Sequence, residues 1–232
     1  MSKAVIVASG GMDSATLAWH YASKGFEVSL VGFDYGQRHS KELEALESIA
    51  SKLGGTSRVI TLDLSKHLHG SSLTSESVEV PDGHYAMETM KATVVPNRNA
   101  IMLAIAAGVA VADKAEVVAT GVHAGDHFIY PDCRPEFFVP FAEAIKNANE
   151  GFAVDGFRLE APFITWSKAD IAKHGSEIGV DYAITWSCYK GLEIHCGRCG
   201  TCVERIEAFI LAGVQDPTQY TDRDFALQQI GN

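Results

Sequence analysis

One short stretch limits the architecture more than any other: Ser9-Gly10-Gly11-Met12-Asp13-Ser14, between the apolar run Ala4-Val5-Ile6-Val7-Ala8 and Ala15-Thr16-Leu17-Ala18-Trp19-His20. The run reads as a buried strand, and the residues after the glycines open a helix. A strand, a glycine turn and a helix start in that order make an anion site. Glycine lets the backbone bend sharply and approach closely, while free N–H groups and the helix macrodipole face the anion. Ser9 and Ser14 add hydroxyls. No lysine follows as in G-x-x-x-x-G-K-[ST], so the stretch is not a Walker loop.

The first half of the chain continues the alternation. Glu27 to Phe33 reads as a second strand, and Leu43, Leu46, Ile49, Ala50 and Leu53 recur at helical spacing before Gly54-Gly55. Arg58 to Leu62 is a third strand, Ala100 to Ala112 an apolar helix, and Ala115 to Thr120 a fourth strand. This pattern predicts right-handed βαβ units in an α/β, doubly wound parallel sheet, with ligands at the carboxyl ends of the strands. Residues 64–96 break the pattern and read as a functional lid or a mobile segment, partly unordered without ligand. A helix from Ser167 to about Glu177 and another from about Gly200 to Leu211 follow. The last segment, Asp216 to Asn232, is polar and expected to be loosely held. The expected organisation is one domain over residues 1–232.

With 47% hydrophobic and 21% charged residues, the chain can bury a sizeable core. Its formal net charge of −10 argues against a long nucleic acid as partner, because backbone phosphates are bound by clustered Lys and Arg. The Ala100–Ala112 run is too short to span a bilayer, and the N-terminus reads as free of a signal peptide, so a cytoplasmic protein is expected.

Cys188, Cys196, Cys199 and Cys202 follow the spacing C-x7-C-x2-C-x2-C, with Gly191, Gly197 and Gly200 among them. Four thiolates at tetrahedral distance suit one structural Zn²⁺, which makes residues of about 186–212 a zinc-binding helical appendage. Iron–sulfur ligation is the competing reading. His195 is either a substitute ligand or, more simply, a surface loop histidine. Cys133 stands apart, as a packing residue or a nucleophile.

S-G-G-x-D-S resembles the pyrophosphate loop of the N-type ATP pyrophosphatases. Together with FDYGQRH (33–39), Pro96-Asn97-Arg98-Asn99, Thr120-Gly121-Val122, YPDCR (130–134) and the four cysteines, it makes the chain similar to the 7-cyano-7-deazaguanine synthase family from residue 3 to about 211. Asn97 stands where the family motif carries glycine, but Asn tolerates unusual backbone angles. The segment 123–129 also departs from the family's form.

The resemblance implies an adenine nucleotide alpha hydrolase-like fold. It implies an ATP-dependent carbon–nitrogen ligase that adenylates 7-carboxy-7-deazaguanine, lets ammonia displace AMP, and uses a second ATP to dehydrate the amide to a nitrile. ATP, with Mg²⁺, would lie on Ala8, Ser9, Gly10, Gly11, Met12, Asp13, Ser14, Ala15, Thr16, Leu17 and Ala18. Asp13, Ser14, Arg38, Arg98 and Asp132 are the expected catalytic residues. Asp13 would orient Mg²⁺ or cap the helix. Arg38 and Arg98 would neutralise phosphate charge.

Asp132 and Arg134 are candidates for reading the purine edge, and Tyr35, Phe128 and Tyr130 for stacking or core packing. Asp126, His123 and His127 are candidate bases for dehydration. A relative stopping at the amide, another adenylating ligase such as a tRNA thiolase or an amidotransferase synthetase, and a zinc-stapled nucleotide-binding module remain as alternatives. A homodimer is the expected assembly, by base rate and by resemblance.

Overall fold

The computed structural model describes residues 2–37, 41–64, 66–68, 70–74, 79–84 and 88–231. Arg38 lies outside the described residues, as does part of the 64–96 segment expected to form a lid.

Five strands, β1 (Lys3–Val7), β2 (Glu27–Asp34), β3 (Thr56–Thr61), β4 (Val117–Thr120) and β5 (Arg158–Glu160), pair in the order β3-β2-β1-β4-β5, and every pair is parallel. The helices are α1 (Met12–Ser23), α2 (Lys41–Leu53), α3 (Arg98–Ala112), α4 (Pro135–Ala148), α5 (Lys168–Glu177), α6 (Gly200–Ala212) and α7 (Arg223–Ile230). Successive strand residues point to opposite faces, so the apolar strands feed two cores. Ala4, Ile6, Val28, Leu30, Val117 and Ala119 pack against α1, α2 and α5. Val5, Val31, Phe33, Val118 and Leu159 pack against α3 and α4. Each fully buried Leu or Ile in these layers contributes about 1.5–3 kcal/mol.

The chain builds outward from β1 to β3, then crosses to β4 on the other side. The crossing opens a crevice at the carboxyl ends of β1 and β4, where this topology gathers ligands. The turn between β1 and α1 occupies it. Gly10 has φ +87°, and a Cβ there would overlap the Glu42 carbonyl oxygen on α2. Gly121, after β4, lies so close that a Cβ would meet the Asp13 carbonyl at 3.3 Å. Asn97 caps α3 with φ 55°, a left-handed conformation that asparagine accepts.

Three elements were not anticipated. β5 is a single buried leucine between two charged residues. In α4, Pro140 inside the helix masks the apolar spacing of Phe137, Phe138, Phe141 and Ile145. α7 has low amphipathicity and only Ala226 buried. The C-terminal segment is not loose, contrary to the sequence reading. Asp216 and Arg205 form a fully buried ion pair. All five guanidinium N–H groups are used: Nε and Nη2 donate to Asp216 Oδ1, Nη1 to Thr185 Oγ1 and Ser187 Oγ, and Nη2 also to the Tyr182 carbonyl. Tyr220 and the Thr218 amide complete Asp216. A buried charge pair is tolerated only when satisfied this fully.

On the α1 face, His20 Nδ1 and His174 Nε2 share a hydrogen bond of 3.0 Å that joins α1 to α5. Burial, aided by Lys24 and His174, lowers the His20 pKa from 6.5 to about 4.

Two outcomes are expected. Gly10→Ala forces a left-handed alanine into a backbone clash and should lower stability by about 2 kcal/mol or more, read as a shifted urea midpoint. His20 resists protonation in the folded chain, so between pH 6.5 and 4 the unfolded chain binds more protons. Its contribution to stability is complete above 6.5 and is lost as the pH falls towards 4. His20→Gln should flatten that part of a thermal-melting curve, and an unchanged curve would refute the assignment.

Candidate active site and cysteine cluster

The crevice is a cavity of about 220 Å³. Its floor is the β1–α1 turn with the first turn of α1: Ala8, Ser9, Gly11, Met12, Asp13 and Ser14 line it. The amides of a helix's first turn have no partner within the helix, and Gly11 at the N-cap supplies no side-chain substitute. Ser9 Oγ accepts from Gly11 N–H at 3.3 Å, and Ser14 Oγ donates to the Gly11 carbonyl at 3.1 Å. Gly10, Ala15, Thr16, Leu17 and Ala18 do not line the cavity. Gly10 serves the turn itself, and the other four are buried in the core beneath.

Asp13 does not cap the helix. Its Oδ2 is 3.2 Å from Lys168 Nζ and 3.9 Å from His123 Nε2. Its Oδ1 is buried without a hydrogen-bond partner among the described residues. Lys168 reaches across to Glu204 Oε2 at 2.6 Å. Burial alone would pull the lysine pKa down, but Asp13 and Glu204 outweigh it and hold Lys168 charged, above its ordinary range. Burial pushes the Glu204 carboxyl up, opposed by Lys168 and His123. His123 Nδ1 accepts from Gly125 N–H at 3.1 Å, so in the neutral ring Nε2 carries the proton and points towards Asp13 and Asp126.

The opposite wall holds Arg98. Its guanidinium carbon lies 5.8 Å from the Tyr35 ring centre and 5.7 Å from that of Tyr130, and Nη1 donates to Tyr35 OH at 3.3 Å. Tyr189 also lines the cavity. Burial raises the pKa of Tyr35 and Tyr189, keeping both phenols protonated. Asp132 is not on the cavity wall. Its two oxygens accept from Asn99 N–H and Nδ2, each at 3.1 Å, so it fastens the first turn of α3 and with it Arg98. Arg134 is held by the His127 carbonyl, and Phe128 is 55% exposed. Cys133 lines the cavity, but burial raises its thiol pKa, and it accepts from Asn99 Nδ2 at 3.1 Å. A buried, neutral thiol is a packing residue.

Asp13, Ser14 and Arg98 therefore share one cleft. The sequence reading missed Lys168, Glu204, Trp186 and Tyr189. A signal for Lys168 existed. Ser167 and Asp170 form a reciprocal capping box, which fixes Lys168 as the first residue of α5. A cation there opposes the helix dipole, a placement that needs a reason beyond the helix.

The four cysteines are buried, and their sulfurs lie within 4.8 Å of one another. Backbone N–H groups of Cys199 and Arg198 point at Cys196 Sγ (3.2 and 3.3 Å), and that of Cys196 at Cys188 Sγ (3.4 Å). N–H donors aimed at sulfur stabilise thiolates, so the donor set fits a metal ion. His195 is not a surface residue, contrary to the sequence reading. It is buried, its ring centre 4.1 Å from that of Trp186, and its Nε2 accepts from Ser187 N–H at 3.1 Å. Trp186 ties this cluster to the cleft, since its N–H donates to the Gly10 carbonyl at 2.9 Å and its indole N–H to the Cys188 carbonyl at 3.0 Å.

Comparison with known proteins agrees with this geometry. A family model described as queuosine biosynthesis protein QueC matches residues 3–213. A 7-cyano-7-deazaguanine synthase of Rhizobium rhizogenes is 58% identical, over 96% of this chain and 94% of its own. One of Brucella anthropi is 56% identical, over 96% and 95%, and one of Rhizobium meliloti 55%, over 99% and 97%. The matched span takes in the glycine turn, the Arg98 wall, Lys168 and all four cysteines, and so the chain belongs to the QueC family of queuosine biosynthesis proteins.

Proposed function

We propose that this chain is an ATP-dependent ligase that converts 7-carboxy-7-deazaguanine and ammonia into 7-cyano-7-deazaguanine, as the names of its relatives state for them. The observation that carries the reading is one cleft joining the glycine turn and Asp13–Lys168 on one side to Arg98 and its tyrosines on the other.

The chemistry asks for such a pairing. A carboxylate is a poor electrophile. Its oxygen attacks the α-phosphorus of ATP, the bond to the β-phosphate breaks, and pyrophosphate leaves. Ammonia nitrogen then attacks the carbonyl carbon and AMP departs with one oxygen. In the second round the amide oxygen attacks the α-phosphorus of another ATP, and a second pyrophosphate leaves. Loss of AMP and two N–H protons leaves the nitrile.

The protein's part is alignment and charge stabilisation. The first-turn amides with Ser9 and Ser14 receive the outgoing pyrophosphate, and Lys168 faces the charge that builds there. Asp13 Oδ1, buried and unbonded, suits the Mg²⁺ that accompanies ATP. Arg98, held in register by Asp132 through Asn99, offers a flat cationic face to the purine. Asp126 and His123 stand beside Asp13 as the nearest candidate bases for amide protons.

The cysteine cluster is read as a structural Zn²⁺ site, with Cys188, Cys196, Cys199 and Cys202 as ligands. Zinc there would brace Trp186 and α6, and no chemical step passes through it. Residues 1–232 are read as one domain, acting as a homodimer in the cytoplasm. No described helix is long and apolar enough to cross a membrane.

Three outcomes test it. Incubated with ATP, the carboxylic acid and ammonium, the protein should release AMP and pyrophosphate, and mass spectrometry should find the nitrile. An amide end product would place the chain among relatives that stop halfway, and unchanged ATP would leave only a nucleotide-binding module. Asp13→Ala and Ser14→Ala should each lower AMP release by about 10²-fold or more with circular dichroism unchanged. Near-normal rates would remove the glycine turn from catalysis. Cys199→Ser should lose bound zinc and melt at lower temperature, since binding energy at such a site is folding energy. Metal analysis with full zinc content would contradict the ligand set.

A further inference from the structure

Lys168 answers two carboxylates where one would neutralise it. Its Nζ lies 2.6 Å from Glu204 Oε2 and 3.2 Å from Asp13 Oδ2. Asp13 lines the cleft, whereas Glu204 stands behind the lysine and does not. Burying a second negative charge costs free energy, which asks for a task that the first carboxylate cannot perform.

Both ends of the Lys168–Glu204 pair spring from fixed backbone. Lys168 opens α5 inside the Ser167–Asp170 capping box. Glu204 lies in α6 between Cys202 of the cysteine cluster and Arg205, whose guanidinium is bonded to Asp216, Thr185 and the Tyr182 carbonyl. The Glu204 carboxylate is also confined from its other side, because a Cβ on Gly125 would meet Oε1 at 3.2 Å. A buried carboxylate with so little room holds one position, and it fixes the ammonium that donates to it.

We propose that Glu204 is a positioning residue for the ligase reaction: it holds the Lys168 ammonium at the α1 end of the cleft and stops it from closing on Asp13. The inference rests on the ligase reading above and deepens it. With Glu204 in place, Asp13 can turn to an incoming ligand while Lys168 keeps a counter-charge. Without it, Asp13, already 3.2 Å away, takes the ammonium for itself, and the departing pyrophosphate loses its cation.

The test uses the whole protein carrying Glu204→Gln, which keeps the side chain's size and removes its charge. With saturating 7-carboxy-7-deazaguanine and ammonium, kcat for AMP release should fall about tenfold or more, while the KM for ATP changes by less than about twofold. Added pyrophosphate should inhibit the variant more weakly than the unsubstituted protein. Charge alone predicts the reverse, because removing a negative group beside an anion site strengthens anion binding. Equal or tighter inhibition by pyrophosphate would overturn the proposal, as would an unchanged kcat. A lower melting temperature with both kinetic readings unchanged would reduce Glu204 to a tether between α5 and α6. If Glu204→Gln does not fold, Glu204→Asp withdraws the charge by one methylene, and the same kcat and pyrophosphate readings decide. Failure of the ligase reading shows elsewhere: the unsubstituted protein would then release no AMP.

Discussion

The whole site depends on how closely bare backbone can pack around Gly10. A Cβ on it would overlap the Glu42 carbonyl of α2, and its own carbonyl takes the Trp186 N–H. A side chain there would push the β1–α1 turn off the sheet edge, and the amides of the first turn would lose their aim. Gly121 repeats the constraint from the β4 side, against the Asp13 backbone. The loop is thus pinned from three directions, which is the preorganisation the proposed function asks of it.

From that loop two lines of force run outward. One passes from Asp13 through Lys168 to Glu204 on α6, a helix whose N-cap is Cys199. The other passes from Gly10 through Trp186 to Cys188. The cysteine cluster is linked to the cleft through this one residue. The C-terminal segment closes the same unit from outside, with Arg205–Asp216 buried beneath it and the Thr221 and Asp222 amides bonded to the backbone of His195 and Cys196. Pieces of the long 64–96 segment join too: Asp82 receives Lys190 and Arg198 at 2.5 and 3.1 Å, and the Gly83 amide donates to the Arg198 carbonyl.

Local order was legible wherever one physical signal dominated. The strand–glycine–helix start, the parallel alternation and the four cysteines each follow from short-range rules, and the structure carries them. Elements with weak or conflicting local signals were not legible. β5 has one buried residue, Pro140 sits inside α4, and α7 has little apolar face. Arg98 was found from its motif, but the reason it stands where it does, Asp132 gripping Asn99, is a contact between segments far apart in the chain.

The sequence by itself determined the class of fold, the glycine turn between β1 and α1 and a cysteine cluster, because period, glycine and cysteine spacing act over a few residues. Only the tertiary structure decided that Lys168 answers Asp13, that His195 is buried against Trp186, and that the polar tail is held fast. Each of those depends on charges and rings brought together across long loops. Their pairing follows from burial, where an unmatched group costs several kcal/mol, and a linear pattern of residues carries no record of that.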